Sequence, residues 1–256
     1  MTESAKARRL LVFMPHPDDE AYSAGGLMAL AAAAGWDVRL VCASFGERGK
    51  RHDGGPAGRE ALAAARAAEL AASCRELGAK PPVIWGLPDG GLRGVEDGPA
   101  RVRGAIDAVS PDLVVTLGPD GAYGHPDHLA VHAWVRDGSR LEGRPCPVLW
   151  CAFPAGLFVP QWEKVRGMLG DTPAPAQDEL GVSQPGYVVP IGVFAGTKQR
   201  AIAAHQTQLP GGDPEALFPP GIVAALLSEE WYEAADSAES AASLLAEITG
   251  AATGSG

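Results

Sequence analysis

The chain of 256 residues carries 31 acidic against 21 basic residues, a formal net charge of −10, and 46% of it is hydrophobic. That acidity makes nucleic acid or an anionic membrane a poor main partner, and the apolar share is ample for one large buried core. No apolar stretch approaches a membrane span, and the run after the basic segment Met1 to Arg9 is too short for a secretory leader.

In chain order, hydrophobic periodicity predicts a strand over 10–14, a helix over about 20–34, a strand over 37–43, a helix over about 57–77 and a strand over 82–85. A helix over about 97–109, a strand over 112–117 and a helix over about 127–137 follow. Strands at Val148 to Phe153 and Tyr187 to Ile191 and helices over about 194–207 and 221–247 complete the pattern. This alternation predicts an α/β fold, a Rossmann-like three-layer sandwich on a mainly parallel, doubly wound sheet. Residues 1–256 read as a single domain, with a flexible tail at 251–256. Gly46 to Gly58 and Leu209 to Gly221, rich in Gly and Pro, read as irregular loops and candidate substrate walls. Cys42, Cys74, Cys146 and Cys151 show no Cys-x-x-Cys spacing and read as buried thiols, so a cytoplasmic protein is expected.

Two segments carry chemistry. The apolar run Leu10 to Met14 is followed at once by Pro15, His16, Pro17, Asp18, Asp19 and Glu20. Residues just past the carboxyl end of a parallel strand are where open α/β sheets put their ligands. The imidazole of His16 and one carboxylate can hold a divalent cation, while the neighbouring carboxylate stays free to take a proton from water. The second probable strand, Asp112 to Leu117, leads through the loop Gly118 to Gly124 into His125, Pro126, Asp127 and His128. Either cluster alone could be a turn whose Asp caps the next helix. Both follow apolar strands, however, and together they hold three of the six histidines, which argues for a shared metal site. Spacing alone would also allow His128 and His132, four apart on one helix face, as the paired ligands. A dinucleotide fingerprint is absent after the first strand, and Gly25-Gly26 reads as close helix packing.

These motifs resemble those of the zinc-dependent, LmbE-like de-N-acetylases, the family that includes the GlcNAc-phosphatidylinositol, mycothiol-pathway and bacillithiol-pathway deacetylases. His16 to Glu20 and His125 to His128 match its two signatures in full, and lesser matches at Ser44 to Glu47, Arg66 to Gly78, Asp89-Gly90 and Lys198 to Gln208 keep the family's order over most of residues 9–210. Pro15 departs from the small residue often found there, which should affect local strand pairing more than the metal site.

The resemblance implies hydrolysis of an amide in an N-acylated sugar or glycoconjugate. It implies a zinc ion held by His16, Asp19 and His128, with iron(II) an alternative that ligand type does not separate. Asp18 becomes the general base and then the acid for the departing amine. His125, as imidazolium partnered by Asp127, would stabilise the developing negative charge, with Tyr123 as an added donor. Arg66 and Asp89 correspond to residues that bind sugar hydroxyls, although an ordinary surface ion pair is the competing account of Arg66. Glu20 is expected to meet the dipole of its helix, Glu47 to lie behind the ligands, and His205 to line the site or pack its own helix. Competing readings are an amidase for a thiol conjugate or an acylated natural product, and a non-catalytic sugar-binding relative that would not need Asp18. The oligomeric state stays open, a homo-oligomer included.

Overall fold

In the computed structural model, which describes residues 7–142, 146–167, 175–236 and 238–253, seven strands form one sheet in the order β3-β2-β1-β4-β5-β7-β6. The strands are β1 (Arg9–Met14), β2 (Asp37–Ser44), β3 (Val83–Leu87), β4 (Leu113–Leu117), β5 (Val148–Ala152), β6 (Tyr187–Pro190) and β7 (Glu229–Ala234). β1 pairs in parallel with both β2 and β4, and β3 and β5 extend the parallel part outward. β7 joins β5 antiparallel and pairs with β6. The expected α/β fold with a mainly parallel sheet is therefore present.

The sequence order reverses at β1, between β2 and β4. A crevice opens at the carboxyl ends of the strands at such a switch point. Both motifs leave the sheet there, one from β1 and one from β4.

The strands between the layers are buried on both faces, so they read as continuous apolar runs rather than alternating ones. Leu10, Val12 and Met14 pack into one core with α1 (Asp19–Ala33), α2 (Arg59–Glu76) and the later helices, whereas Leu11 and Phe13 face α3 (Gly98–Val109) and residues such as Val131 and Trp134 across the sheet. A short turn α4 (Gly121–Gly124) precedes α5 (Pro126–Gly138), and α6 (Val159–Arg166) and α7 (Ala195–Ala203) follow. Gly25 and Gly26 do serve close packing, since a Cβ on Gly26 would collide with the Ile191 side chain.

The carboxyl-terminal third differs from expectation. Instead of one helix over 221–247, the chain forms α8 (Ile222–Leu226), then β7, then α9 (Ala238–Thr253). β7 contains three glutamates, which hide its strand character, and Glu230 is one of its inward-facing residues at 4% exposure. Its carboxylate accepts from Lys198 Nζ (2.7 Å), Tyr232 Oη (2.7 Å) and the amides of Gly26 (2.7 Å) and Leu27 (2.8 Å). The tail expected from Ala251 is helical as far as Thr253, and residues 254–256 lie outside the described residues.

Among the described residues no helix is long and apolar enough to cross a membrane. At Pro15 the lost backbone donor does not unravel the sheet, because its carbonyl accepts from both the N–H and the Oγ of Ser44, each at 3.0 Å.

Removing one partner of a buried ion pair leaves an uncompensated charge. Glu230→Ala strands the Lys198 ammonium in the core and should lower the unfolding free energy by about 3–5 kcal/mol, measured by chemical denaturation.

Candidate active site

The turn after β1 is strained. Asp18 has φ 109° and ψ −32°, a backbone region that side-chain-bearing residues avoid and that costs on the order of 1–3 kcal/mol. Several bonds hold it. The Asp18 N–H donates to Glu20 Oε2 (2.9 Å), and its carbonyl accepts from Ala21 (3.0 Å) and Tyr22 (3.2 Å). The Arg66 guanidinium reaches from α2 to the carbonyls of Pro17 and Gly46 and to Asp18 Oδ2 (3.0 Å). Gly46 has φ +64°, and a Cβ there would strike that guanidinium.

Because of this turn the adjacent aspartates diverge. Asp18 faces Arg66, whereas Asp19 Oδ2 accepts the His16 N–H (3.0 Å) and lies 3.2 Å from His16 Nδ1. Asp19 Oδ1 lies 3.5 Å from His128 Nε2.

His16 is clamped from its other side, where Nε2 meets Asp127 Oδ2 at 3.2 Å and Asp89 Oδ1 at 3.3 Å. If Nε2 carries the hydrogen, Nδ1 can present a lone pair toward Asp19. For His128, Nδ1 pairs with the Gly121 carbonyl (3.1 Å), while Nε2 is buried and has no hydrogen-bond partner among the described residues. His16 Nδ1 and His128 Nε2 thus lie against different oxygens of the Asp19 carboxylate, and ring nitrogens of His16, His125 and His128 come within 4.8 Å of one another, as do donor atoms of His16, Asp89 and Asp127. That donor set fits a divalent cation, and carboxylates behind a ligating histidine are its usual orienting partners.

The charge distribution follows from burial among these groups. Burial pushes the Asp18 carboxyl up to about 6, with Arg66 opposing and Asp19 reinforcing the rise. Burial acts on Asp19 too, but His128 and the bonds from His16 outweigh it and hold that carboxyl well below the usual range. For His16 the carboxylates of Asp127, Asp19 and Asp89 outweigh burial and raise its pKa well above the ordinary value.

His125 departs from expectation. Its Nδ1 accepts the Asp127 N–H (3.2 Å), which caps α5. Burial, followed by the neighbouring His128 and His16, lowers its pKa to about 3. It is therefore a neutral imidazole with hydrogen on Nε2, and the imidazolium reading is corrected. The Asp127 carboxylate is not its partner either, since it accepts from the amides of Gly90 (2.6 Å) and Leu92 (3.0 Å) and faces His16. At the first turn of α5 that side chain points toward the 88–92 loop.

Of the remaining expected residues, Arg66, Asp89 and Tyr123 line a cavity of about 520 Å3. Asp89 and Arg66 are in its wall, but both are buried and bonded within the protein: Asp89 Oδ2 accepts from the Arg48 amide (2.7 Å). Arg66 is thus no surface ion pair. Tyr123 stands with its ring 5.1 Å from that of His128. Glu47 accepts from the Asp89 amide (3.1 Å). His132 faces elsewhere, its Nδ1 on the Leu117 carbonyl (3.0 Å) and its ring 4.6 Å from Trp150.

The sequence reading missed the support beneath Asp18. Glu20, fully buried, accepts at Oε1 from Ser73 Oγ (2.6 Å) and His205 Nε2 (2.8 Å) while Oε2 holds the Asp18 amide. It also missed Tyr22, Arg48, Phe158, Gln208 and Phe218 in the cavity wall. Both loops expected as walls do reach the cavity, 46–58 through Arg48, Gly49 and Lys50 and 209–221 through Leu217 and Phe218.

Residues 11–138 match the PIG-L family, described as GlcNAc-PI de-N-acetylase. A 1D-myo-inositol 2-acetamido-2-deoxy-alpha-D-glucopyranoside deacetylase from Streptomyces scabiei is 30% identical over 280 residues, covering 90% of this chain and 85% of its own. The protein of the same name from Nakamurella multipartita is 34% identical over 239 residues, with 79% and 81% covered. Among solved structures, N,N'-diacetylchitobiose deacetylase from Pyrococcus horikoshii gives a TM-score of 0.61 at 21% identity, over 90% of this chain and 84% of that one. A 4-carboxy-2-hydroxymuconate hydratase from Pseudomonas putida gives 0.63 at 20% identity, over 89% and 96%. At these identities the structural likeness is one of fold, which deacetylases share with a hydratase.

Glu20→Ala would orphan two buried donors, the Ser73 hydroxyl and the His205 ring, together with the part-buried amide of Asp18. Each such loss costs about 1–3 kcal/mol, so urea titration should show a clearly lower midpoint than wild type, and an unchanged midpoint would refute the bracing role.

Proposed function

Because the chain belongs to the PIG-L family of GlcNAc-PI de-N-acetylases, we propose that it is a metal-dependent N-deacetylase of an N-acetylated amino sugar carried in a small-molecule glycoconjugate. The observation that carries this reading is the divergence of Asp18 and Asp19, one carboxylate turned toward the cation donors and its neighbour kept apart from them. The shared name of the Streptomyces and Nakamurella relatives supports an acetamido sugar as the class of substrate.

His16 Nδ1, Asp19 and His128 Nε2 would hold the ion, zinc or iron(II), whose binding these donors do not separate. A bound divalent cation would acidify water and polarise the amide carbonyl. Asp18 takes the proton of the attacking water and returns it to the amine nitrogen as the C–N bond breaks. His125, neutral and with Nδ1 committed to the helix cap, offers its Nε2–H to the oxygen that gathers negative charge, and the Tyr123 hydroxyl is a second donor. Asp127 and Asp89 keep His16 oriented, and Arg66 keeps Asp18 turned away from the ligands. Contacts of Arg66 and Asp89 with sugar hydroxyls are part of the same proposal, in addition to these internal bonds. The buried thiols Cys42, Cys74 and Cys151 support a reducing, cytoplasmic setting.

Two outcomes test the reading. Replacing His16, Asp19 or His128 by Ala should greatly reduce the divalent metal retained after dialysis, measured by elemental analysis, and a His128→Ala protein with full metal and activity would refute the ligand assignment. Asp18→Asn should keep metal content near normal while turnover of N-acetylglucosaminyl conjugates falls roughly a hundredfold or more. Loss of metal with turnover spared would exchange the roles of the two aspartates.

A further inference from the structure

Asp18 is not the only strained residue beside the candidate donors. Ala122, in the α4 turn, has φ 64° and ψ −51°, and Tyr123 after it departs from helical geometry at φ −142° and ψ 27°. A residue with a side chain persists in such a conformation only where its surroundings impose it. Here one residue supplies most of the hold. Asp120 Oδ1 accepts the Ala122 N–H (3.0 Å), and the Asp120 carbonyl accepts that of Gly124 (2.9 Å). The second carboxylate oxygen, Oδ2, accepts the Gly181 N–H (2.8 Å). Val182, next in the chain, donates its N–H to the Phe153 carbonyl (2.8 Å) and accepts from the Ala155 amide (2.9 Å). Asp120 thus ties the turn to the chain just past β5.

Two groups of the site hang on that turn. The Gly121 carbonyl pairs with His128 Nδ1 (3.1 Å), so the turn orients the ring whose Nε2 faces Asp19. The Tyr123 side chain leaves from the residue after the strained one, and its ring lies 5.1 Å from that of His128 and 6.2 Å from that of His125. Asp120 does not line the cavity that these rings enter, so it reaches the chemistry only through the backbone. A carbonyl behind a ligating histidine fixes the orientation of its ring, and a displacement of about an ångström can deprive a catalytic group of most of its effect. Left alone the turn would relax, because Gly121 and Gly124 flank Ala122 and admit many backbone states.

Building on the deacetylase reading, we infer that Asp120 is a positioning residue for this reaction: by holding the Gly121–Gly124 turn it sets the His128 ring toward the cation donors and the Tyr123 hydroxyl toward the amide oxygen.

The test joins three variants to two readouts, zinc affinity by competition with a chelator and steady-state hydrolysis of an N-acetylglucosaminyl glycoside at saturating zinc. Asp120→Ala should weaken zinc binding about ten- to a hundredfold and lower kcat about a hundredfold, with KM nearly unchanged because Asp120 meets no substrate. Asp120→Glu keeps the charge but carries the acceptor past the Ala122 amide. It should fail in the same way, and it decides the outcome if the Ala protein folds poorly. Asp120→Asn keeps Oδ1 as the acceptor and should recover most of both quantities. A lower urea midpoint with zinc affinity and kcat unchanged would show a role in stability alone and overturn the proposal, as would an Asn protein as impaired as the Ala one. If wild type hydrolyses no N-acetyl sugar while the loss of zinc affinity in Asp120→Ala stands, the deacetylase reading fails and the positioning of His128 survives; hydrolysis by wild type with neither readout changed in Asp120→Ala gives the reverse.

Discussion

The site depends on the parallel pairing of β1 with β4, which sets residues far apart in the chain side by side: His16 and Asp127, in contact at 3.2 Å, are 111 positions apart. Both strands are buried on both faces, so their register is fixed by packing as well as by hydrogen bonds. With β2 on the other flank of β1, the same edge also receives Ser44 and Gly46, and β3 delivers Asp89. Four strand ends thus supply one crevice, as a switch point requires.

Concentrating so many ionisable groups in a buried space is unfavourable unless each has a partner. Here the partners are arranged in two sets that meet at the turn between Asp18 and Asp19. One set centres on His16, with Asp19 on one ring nitrogen and Asp127 and Asp89 on the other. The other centres on Glu20, which ties Ser73 and His205 to the Asp18 amide and so stabilises a backbone conformation that would otherwise relax. The strain separates two neighbouring carboxylates that an unstrained helix start would not hold to different tasks. Backbone strain that persists beside a ligand cluster is characteristic of functional sites.

The division of the cavity into a hydrogen-bonding face and an aromatic face follows from which elements reach it. The first is built by the loops after β2 and β3 with Arg66 of α2, and the second by the α4 turn, the start of α6 and the 209–221 loop. The 209–221 loop carries no core strand and none of the candidate donors, so its composition can change without moving them. Substrate choice and chemistry are therefore separable on this scaffold, in keeping with a fold shared by deacetylases and a hydratase.

Much of this was legible before folding. The apolar runs before His16 and His125 are short and continuous, and a proline in one case and a Gly- and Pro-rich loop in the other lead from them to the titratable residues, a local pattern that marks both strand and candidate site. Gly25-Gly26 likewise announced a tight helix contact. What stayed hidden depended on partners distant in sequence. β7 looked helical because the burial of Glu230 makes sense only once Lys198, 32 residues earlier, supplies the opposite charge. Asp127 was paired with its sequence neighbour His125, but a residue in the first turn of a helix faces whatever loop the sheet brings there, and that loop is the one at residues 88–92. Glu20 was read through its helix dipole alone, while its bonds to Ser73 and His205 exist only because α7 packs against both α1 and α2. Local periodicity and motif chemistry determined the strands and which titratable residues stand at their ends; long-range packing decided which other side chains complete the cavity wall and which groups face one another, because those are properties of distances between segments rather than of any segment itself.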